Sequence, residues 1–355
     1  MLLAGCVLVA STTALGATLT KANNANNLNS TTSWTSGVVP GSGDIALWNS
    51  TVPAANTVSL GADLNFGQIQ ITNPGGLVTI NAGNTLTLSG VSGVGIDMSS
   101  ATQNLTLNCA ITLAAAQTWN VASGRTLTVG TINNGGNLLT INSIGQVFTG
   151  VISGTGGLTK SGIQNLSVSA SSTYSGVTTL DGGFLNGTVA NINTASSIGK
   201  GSVAGSAADL VFGGGILFGS GSTDRLFTIG DANGLSAGLY SVGSPMNFTS
   251  TGAIAFGGSG SRSLTLYGST IGNTFAPILG DGPGGATSLV KQHTGTWTIT
   301  GANTYTRGTS VFDGTLTVNG SGTLGASTGS LEVDSFGGTT ILNLNVDQTV
   351  GSLIG

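Results

Sequence analysis

One stretch of the sequence occurs twice, at a constant offset. The first copy runs from Leu158 to Leu185 and the second from Leu289 to Leu316, so the offset is 289 − 158 = 131 without a gap. Within each copy, apolar residues alternate with Thr or Ser, which is typical of a β-strand with one buried face. Asp-Gly steps interrupt both copies and predict turns between short strands. Such self-similarity indicates a stack of repeated structural units.

The alternation assigns side chains to two faces of each strand. Four apolar side chains are predicted to be buried: Leu166, Val168, Trp297 and Ile299. Thr296 and Thr298 are predicted to face outward, because successive side chains of a strand point to opposite faces. For Trp297, and for Trp119 in a similar setting, core packing is favoured over stacking on sugars, given the area that an aromatic ring buries.

Short strand signals recur along the rest of the chain. Leu86, Leu105 and Leu127 each begin an apolar-Thr-apolar triplet, at steps of 105 − 86 = 19 and 127 − 105 = 22 residues. A period of about 20 residues falls in the range of solenoid coils. The sequence shows no helical hydrophobic period, which argues against a βαβ sheet. We predict an all-β parallel β-helix of about 15 coils, with an antiparallel sandwich as the alternative.

Residues at matching positions of the two copies resemble a known family. Lys160 corresponds to Lys291 and Tyr174 to Tyr305, within a common pattern of Leu, Lys, Gly, Asn or Thr, and Tyr. This pattern resembles the autotransporter-associated β-strand repeat, or passenger-associated transport repeat, of bacterial surface and secreted proteins. The resemblance implies a right-handed parallel β-helix and a part in the folding of an exported passenger.

The resemblance covers roughly residues 30 to 355 and is strongest at 158–185 and 210–316. The second copy departs from the family's pattern at two positions. His293 and Arg307 stand where the pattern favours Gly, and both replacements argue against tight turns there because Gly adopts positive φ without strain.

Composition narrows the classes of function. Only 6% of the 355 residues are charged, against about 25% in ordinary soluble domains. A net charge of −4 with scattered Lys and Arg offers no footprint for nucleic acid or for an anionic membrane. After the N-terminal segment, no stretch reaches the ~20 apolar residues of a membrane span. We therefore expect no nucleic-acid partner and no membrane span in the mature chain.

Three segments are predicted along the chain. Residues 1–17 form an apolar run that ends in small residues and predict a secretory signal peptide. A lipoprotein box ending at Cys6 is the alternative, and it would anchor the mature chain. Residues 18–60 are predicted to cap the first coil, because solenoids need atypical terminal units. Residues 61–355 are predicted to be passenger-like repeats, incomplete at the C-terminus because the last residues resemble the start of another coil.

Residues that could carry catalysis are scarce. Arg307, Asp313, Glu332 and Asp334 form the one cluster in which a β-helix lyase or glycosidase could place its charged groups. We interpret the four as solvated surface and turn residues. His293 is the only His of the chain, and we interpret it as a surface residue rather than a general base.

Metal-binding patterns are equally weak. With one His and one Cys in the chain after Cys6, a structural zinc site is excluded. Cys109 is predicted to be a small buried residue rather than a reactive thiol. Gly41–Ile45 is a lone partial match to a calcium-binding repeat. Asp44 and Asp63 lie 63 − 44 = 19 residues apart, so they could stack on adjacent coils.

We therefore predict an exported structural or adhesive β-helix that is secreted or displayed on the bacterial outer surface. We expect no catalytic, cofactor-binding or metal-binding residues. The partners that we expect are a translocator β-barrel outside this chain and an extracellular surface or glycan as ligand. The alternative is a carbohydrate-active β-helix enzyme, a polysaccharide lyase or glycosidase, or else a glycan-binding module.

Overall fold

The chain folds as a β-solenoid of about 14 turns. The computed structural model describes residues 16–202, 206–232, 234–335 and 337–355. Within them, successive turns pair in parallel, which confirms the predicted all-β parallel β-helix and excludes the antiparallel sandwich. Most of the predicted signal peptide, residues 1–17, lies outside the described residues, as does Cys6.

The strands, numbered in chain order, form three stacks, each given with its residue bounds. The first stack contains eleven strands: β1 (Thr18–Thr20), β2 (Ile45–Trp48), β5 (Gln68–Ile71), β8 (Val94–Met98), β11 (Gln117–Val121), β14 (Leu139–Ser143), β17 (Leu158–Ser161), β19 (Thr178–Leu180), β21 (Leu210–Phe212), β23 (Thr228–Ile229) and β25 (Ala255–Phe256). The second stack begins with β3 (Asn56–Val58), β6 (Val78–Ile80), β9 (Leu105–Leu107), β12 (Thr126–Val129), β15 (Gln146–Thr149), β18 (Asn165–Val168), β20 (Phe184–Val189), β22 (Ile216–Thr223) and β24 (Ser236–Phe248). The third stack contains five strands: β4 (Leu64–Phe66), β7 (Thr85–Leu88), β10 (Ala110–Leu113), β13 (Ile132–Asn133) and β16 (Ile152–Ser153).

Beyond β24 the second stack continues as two. The first branch contains β26 (Arg262–Gly268), β28 (Thr287–Lys291), β30 (Gly308–Val311), β32 (Ser330–Val333) and β34 (Ser352–Ile354). The second branch contains β27 (Asn273–Phe275), β29 (Thr296–Ile299), β31 (Gly314–Val318) and β33 (Thr340–Leu344).

The long strand β24 makes this branching possible. It has 13 residues, so its first half pairs with β26 while its end pairs with β27. As a consequence, the two sequence repeats occupy different faces of the solenoid. The strand that carries Lys160 belongs to the first stack, whereas the strand that carries Lys291 belongs to the second. The second repeat is therefore turned by one face relative to the first.

The interior is lined by side chains that stack in register from turn to turn. Ile96, Trp119, Ile141 and Lys160 follow one another in the first stack. All four are buried, so each turn covers the apolar surface of its neighbour. A lysine thus occupies a position that apolar residues fill in the preceding turns.

The predicted alternation within the repeats is confirmed. The four side chains expected inside are at most 6% exposed: Leu166, Val168, Trp297 and Ile299. Thr296 and Thr298 alternate with them and are half-buried on the other side of β29. The indole of Trp119 is also buried, which agrees with packing in the core.

The predicted period of about 20 residues holds for part of the chain, including both repeats. From Val147 to Leu166 the step is 166 − 147 = 19 residues, but from Leu185 to Leu217 it is 217 − 185 = 32. The longer turns lengthen their loops while the paired strands keep their stacking. A constant period is therefore not required for a continuous core.

The N-terminal segment lies against the first coil. Strand β1 pairs in parallel with β2, and a single 3₁₀ turn covers Thr31–Ser33. Trp34 meets Trp48 and Phe66 edge-on, with ring centroids 5.8 Å apart in both pairs. The boundary of this cap at residue 60 stays a prediction. Among the described residues there is no helix long and apolar enough to cross a membrane.

Candidate functional site: the two repeats

Buried cations are a common feature of this weakly charged chain. Five of the eight Lys and Arg residues are at most 2% exposed: Lys21, Lys160, Arg225, Arg262 and Lys291. Each donates hydrogen bonds to main-chain carbonyl oxygens at turns of the solenoid. A buried ammonium or guanidinium is costly unless such bonds satisfy it, so these contacts hold the turns together.

Lys291 connects two consecutive turns in the second repeat. Its Nζ donates to the carbonyl oxygens of Gln292, at 3.0 Å, and of His293, both in its own turn. It also donates to the carbonyl oxygen of Asp313, at 2.8 Å, in the following turn. The ammonium is therefore satisfied only when both turns are in place.

Lys160 repeats this arrangement in the first repeat. Its Nζ donates to the carbonyl oxygens of Ser161 and Gly162 in its own turn, and of Gly182 in the next. Burial lowers the pKa of Lys160 from 10.5 to about 8. Burial likewise lowers the pKa of Lys291 to about 8, although the nearby Asp313 opposes this shift.

A hydrogen-bonded chain of hydroxyl groups joins turns in both repeats. The Tyr305 hydroxyl contacts Thr309 Oγ1, which donates to the carbonyl oxygen of Leu324 at 3.2 Å in the next turn. Because the Thr hydroxyl has a single proton, Tyr305 must be the donor to Thr309. Tyr174 and Thr178 form the same contact at 2.7 Å in the first repeat. Burial raises the pKa of Tyr305 far above its ordinary value, so the phenol stays protonated.

A glycine of the next turn lies directly against each tyrosine ring. A Cβ on Gly325 would lie 2.4 Å from the carbonyl oxygen of Tyr305 and 2.7 Å from its ring, and φ there is +89°. Gly199 has the same relation to Tyr174, with φ of +67°. Sequence reasoning missed this pair, because their separation, 325 − 199 = 126, departs from the constant offset. The signal available in the sequence was the apolar residue before each glycine, in Ile198-Gly199 and Leu324-Gly325.

We expect Tyr305→Phe to lower the free energy of unfolding by about 1 kcal/mol, because it removes one buried hydrogen bond and keeps the ring. Tyr240→Phe is the matched control, since Tyr240 is only half-buried and its hydroxyl has no partner among the described residues. Guanidinium denaturation of both variants measures the difference. Equal midpoints for the two variants would show that the hydroxyl chain contributes nothing.

The segments that contain these buried lysines and tyrosine–threonine pairs match a known family. The family model described as Passenger-associated-transport-repeat matches residues 158–186 and 289–318. The chain carries this repeat twice. Each matched segment contains one of the buried lysines and one of the tyrosine–threonine pairs. The resemblance found in the sequence is thereby confirmed.

One curated relative of the chain is an autotransporter adhesin. The adhesin BmaC autotransporter of Brucella suis biovar 1 (strain 1330) is 35% identical over 266 residues, which cover 72% of this chain. The matched region is 7% of that relative's length, so the chain spans a small part of it. The transport repeats and this relative indicate a secreted or surface-displayed passenger. No solved structure matches the chain.

The turn in the second transport repeat is kept despite its unusual residues. His293 adopts φ of +63°, close to the +76° of Gly162 at the same position of the first repeat. Beside Arg307, the neighbouring Gly308 takes φ of +106° at the first position of β30. At His293, the expectation of a weakened tight turn is therefore wrong, whereas the one at Arg307 stays a prediction. The His293 ring contacts Tyr240 and lies at 5.3 Å from it, which helps to offset the strain.

The candidate catalytic residues lie on or beside the neighbouring strands β30 and β32. Arg307 and Asp313 lie at opposite ends of β30, about 20 Å apart along an extended strand. Glu332 lies beside Ser310, a residue of β30 between Arg307 and Asp313. Its carboxylate accepts a hydrogen bond from the Ser310 hydroxyl at 2.9 Å. The Asp334 carboxylate accepts from the main chain of Ser335.

The other candidate residues lie at turns or in the core. Asp44 and Asp63 precede β2 and β4 of the same coil, so they do not stack on adjacent coils. Asp44 accepts main-chain hydrogen bonds from Ala17 and Gly41, as a turn residue does. Cys109 is buried, and burial raises the pKa of its thiol to about 11, which agrees with an unreactive residue. The described residues contain no group of three potential metal ligands.

Proposed function

We propose that this chain is a rigid adhesive segment of an exported passenger, held in shape by its transport repeats, with no catalytic activity. The observation that carries the proposal is the bridging ammonium group of each repeat. Lys291 bonds carbonyl oxygens of two successive turns, so a turn that stacks out of register leaves a buried charge unsatisfied. Such contacts favour one continuous stack along the passenger.

A translocator β-barrel outside this chain is the partner that we propose for export. Support comes from the relative described as an autotransporter adhesin and from the transport repeats themselves. The outward faces suit display rather than chemistry, because they carry mainly Thr, Ser, Asn and Gly with few charges. The separation of Arg307 from Asp313 along β30 supports the absence of catalysis.

We expect beads coated with residues 18–355 to adhere to animal cells or to extracellular-matrix glycoproteins, whereas beads coated with heat-denatured chain do not. The native chain should also resist proteolysis, because its strands are paired along the whole stack. The same preparation should release no product from polygalacturonate, alginate or neutral glycans.

Two controls decide between adhesion and catalysis. Asp334→Ala and Arg307→Ala should adhere as the parent chain does, because neither side chain bridges turns. Product release that disappears in either variant would establish an enzyme instead. Beads that fail to adhere to every surface tested would reject the adhesive function.

A further inference from the structure

A strained histidine distinguishes the second repeat from the first. His293 holds φ of +63°, where the first repeat has Gly162. A side chain in the left-handed region costs roughly 1 kcal/mol relative to glycine. Its ring lies 5.3 Å from that of Tyr240 and 5.5 Å from that of Tyr267, so outward aromatic rings on two preceding turns support it. Strain that neighbouring groups hold in place is a frequent mark of a binding site.

A surface depression lies beside this ring. Its volume is about 220 Å³, and its walls are Gln292, His293, Phe312 and Asp313. Subtracting the offset of 131 gives the residues at the same positions of the first repeat: Ser161, Gly162, Asp181 and Gly182. At these positions the first repeat has no aromatic ring and no side-chain amide, whereas the second has two aromatic rings and one amide. The buried Lys and Tyr, by contrast, are common to both repeats.

Buried groups hold the walls of the depression in position. Lys291 binds the carbonyl oxygens of Gln292, His293 and Asp313, which are three of the four lining residues. The main-chain N–H of Gly314 donates to Asp313 Oδ1 at 2.8 Å, while Oδ2 has no partner among the described residues. A site whose walls are fixed before binding loses less entropy when a ligand arrives.

We propose that this depression binds one residue of a neutral carbohydrate. The His293 ring offers an apolar edge to a sugar ring, and the Asp313 carboxylate and Gln292 amide can bond its hydroxyl groups. Its volume is below the roughly 300–1,000 Å³ of typical small-molecule sites, so it suits one sugar ring. The Asp313 carboxylate disfavours acidic sugars, and Arg307 lies at the far end of β30. The inference rests on the proposed adhesive function and names its ligand class.

Saturation-transfer NMR of the whole chain tests this site. The probes are glucose, galactose, mannose, N-acetylglucosamine and N-acetylgalactosamine, with glucuronate and N-acetylneuraminate as acidic comparisons. We expect at least one neutral sugar to bind and both acidic sugars to bind at least ten-fold more weakly. His293→Gly and Asp313→Asn should each weaken the binding at least ten-fold.

Thr294→Ala is the matched control, because Thr294 is exposed beside His293 and does not line the depression. It should bind as the parent chain does. His293→Gly relieves the strained backbone, so its melting temperature should not fall, and loss of binding cannot then be attributed to unfolding. If the melting temperature of His293→Gly falls by a large amount, the binding measured for Asp313→Asn alone decides whether the carbohydrate site is correct.

The outcomes separate this proposal from the adhesive function. If no neutral sugar binds at tens of millimolar, or if binding survives both variants, the carbohydrate site is wrong even where coated beads adhere. If a sugar binds and both variants abolish its binding while coated beads do not adhere, the site stands and the adhesive function fails.

Discussion

Replacing Lys291 by Met lowers the free energy of unfolding by about 2–4 kcal/mol, because it leaves buried carbonyl oxygens without a donor. Three carbonyl oxygens, on Gln292, His293 and Asp313, lose their common partner. Methionine has a similar shape and avoids the desolvation of an ammonium group, which reduces the loss. The hydrogen bonds outweigh that gain because the carbonyl groups stay buried whichever residue is present.

Hydrogen exchange is the suitable measurement, since a solenoid can open locally without unfolding as a whole. In Lys291→Met, exchange should accelerate in β28 and β30, on either side of the bridged turns, and remain slow in β7 and β10. Lys160→Met should have the corresponding effect around β17 and β19. Lys200→Met is the matched control, because Lys200 is exposed and should tolerate the change. Equal exchange in Lys291→Met and Lys200→Met would contradict the bridging role.

Replacing Trp297 by Ala should destabilise the second repeat by about 3–5 kcal/mol, the usual cost of truncating a buried large aromatic residue. The Trp297 side chain is fully buried, and its Nε1 donates to the carbonyl oxygen of Tyr267 at 2.9 Å. The change leaves a cavity between Asn273 and Leu316, its register neighbours on the adjoining turns, and removes this hydrogen bond.

The first repeat offers the control for this prediction. Leu166 occupies the position of Trp297 there, so Trp297→Leu restores a residue that the repeat tolerates. Trp297→Leu should cost less than Trp297→Ala, because it leaves a smaller cavity. Denaturation with guanidinium chloride, with hydrogen exchange of β29 and β31, measures both. A loss below 1 kcal/mol in Trp297→Ala would mean that this position is not part of a close-packed core.

Much of the local structure could be predicted from the sequence because strand periodicity is a local property. The alternation around Trp297 correctly separated buried from outward side chains, and the duplicated stretch located both repeats. The predicted number of coils, about 15, is close to the observed 14 or so. The bridging role of Lys291 was not predicted, since an isolated Lys in a strand gives no sign that carbonyl oxygens of two turns converge on it.

The sequence by itself determined the repeat and the strand alternation, because a residue and its near neighbours encode them, whereas the parallel pairing that excludes a sandwich came from the structure. Only the tertiary structure decided how distant residues meet. It placed the strands of Lys160 and Lys291 in different stacks, because the length of β24 lets one strand pair with two. It also separated Arg307 from Asp313, whose spacing of six residues spans an extended strand. Stacking between turns depends on loop lengths and strand register, which local periodicity leaves open.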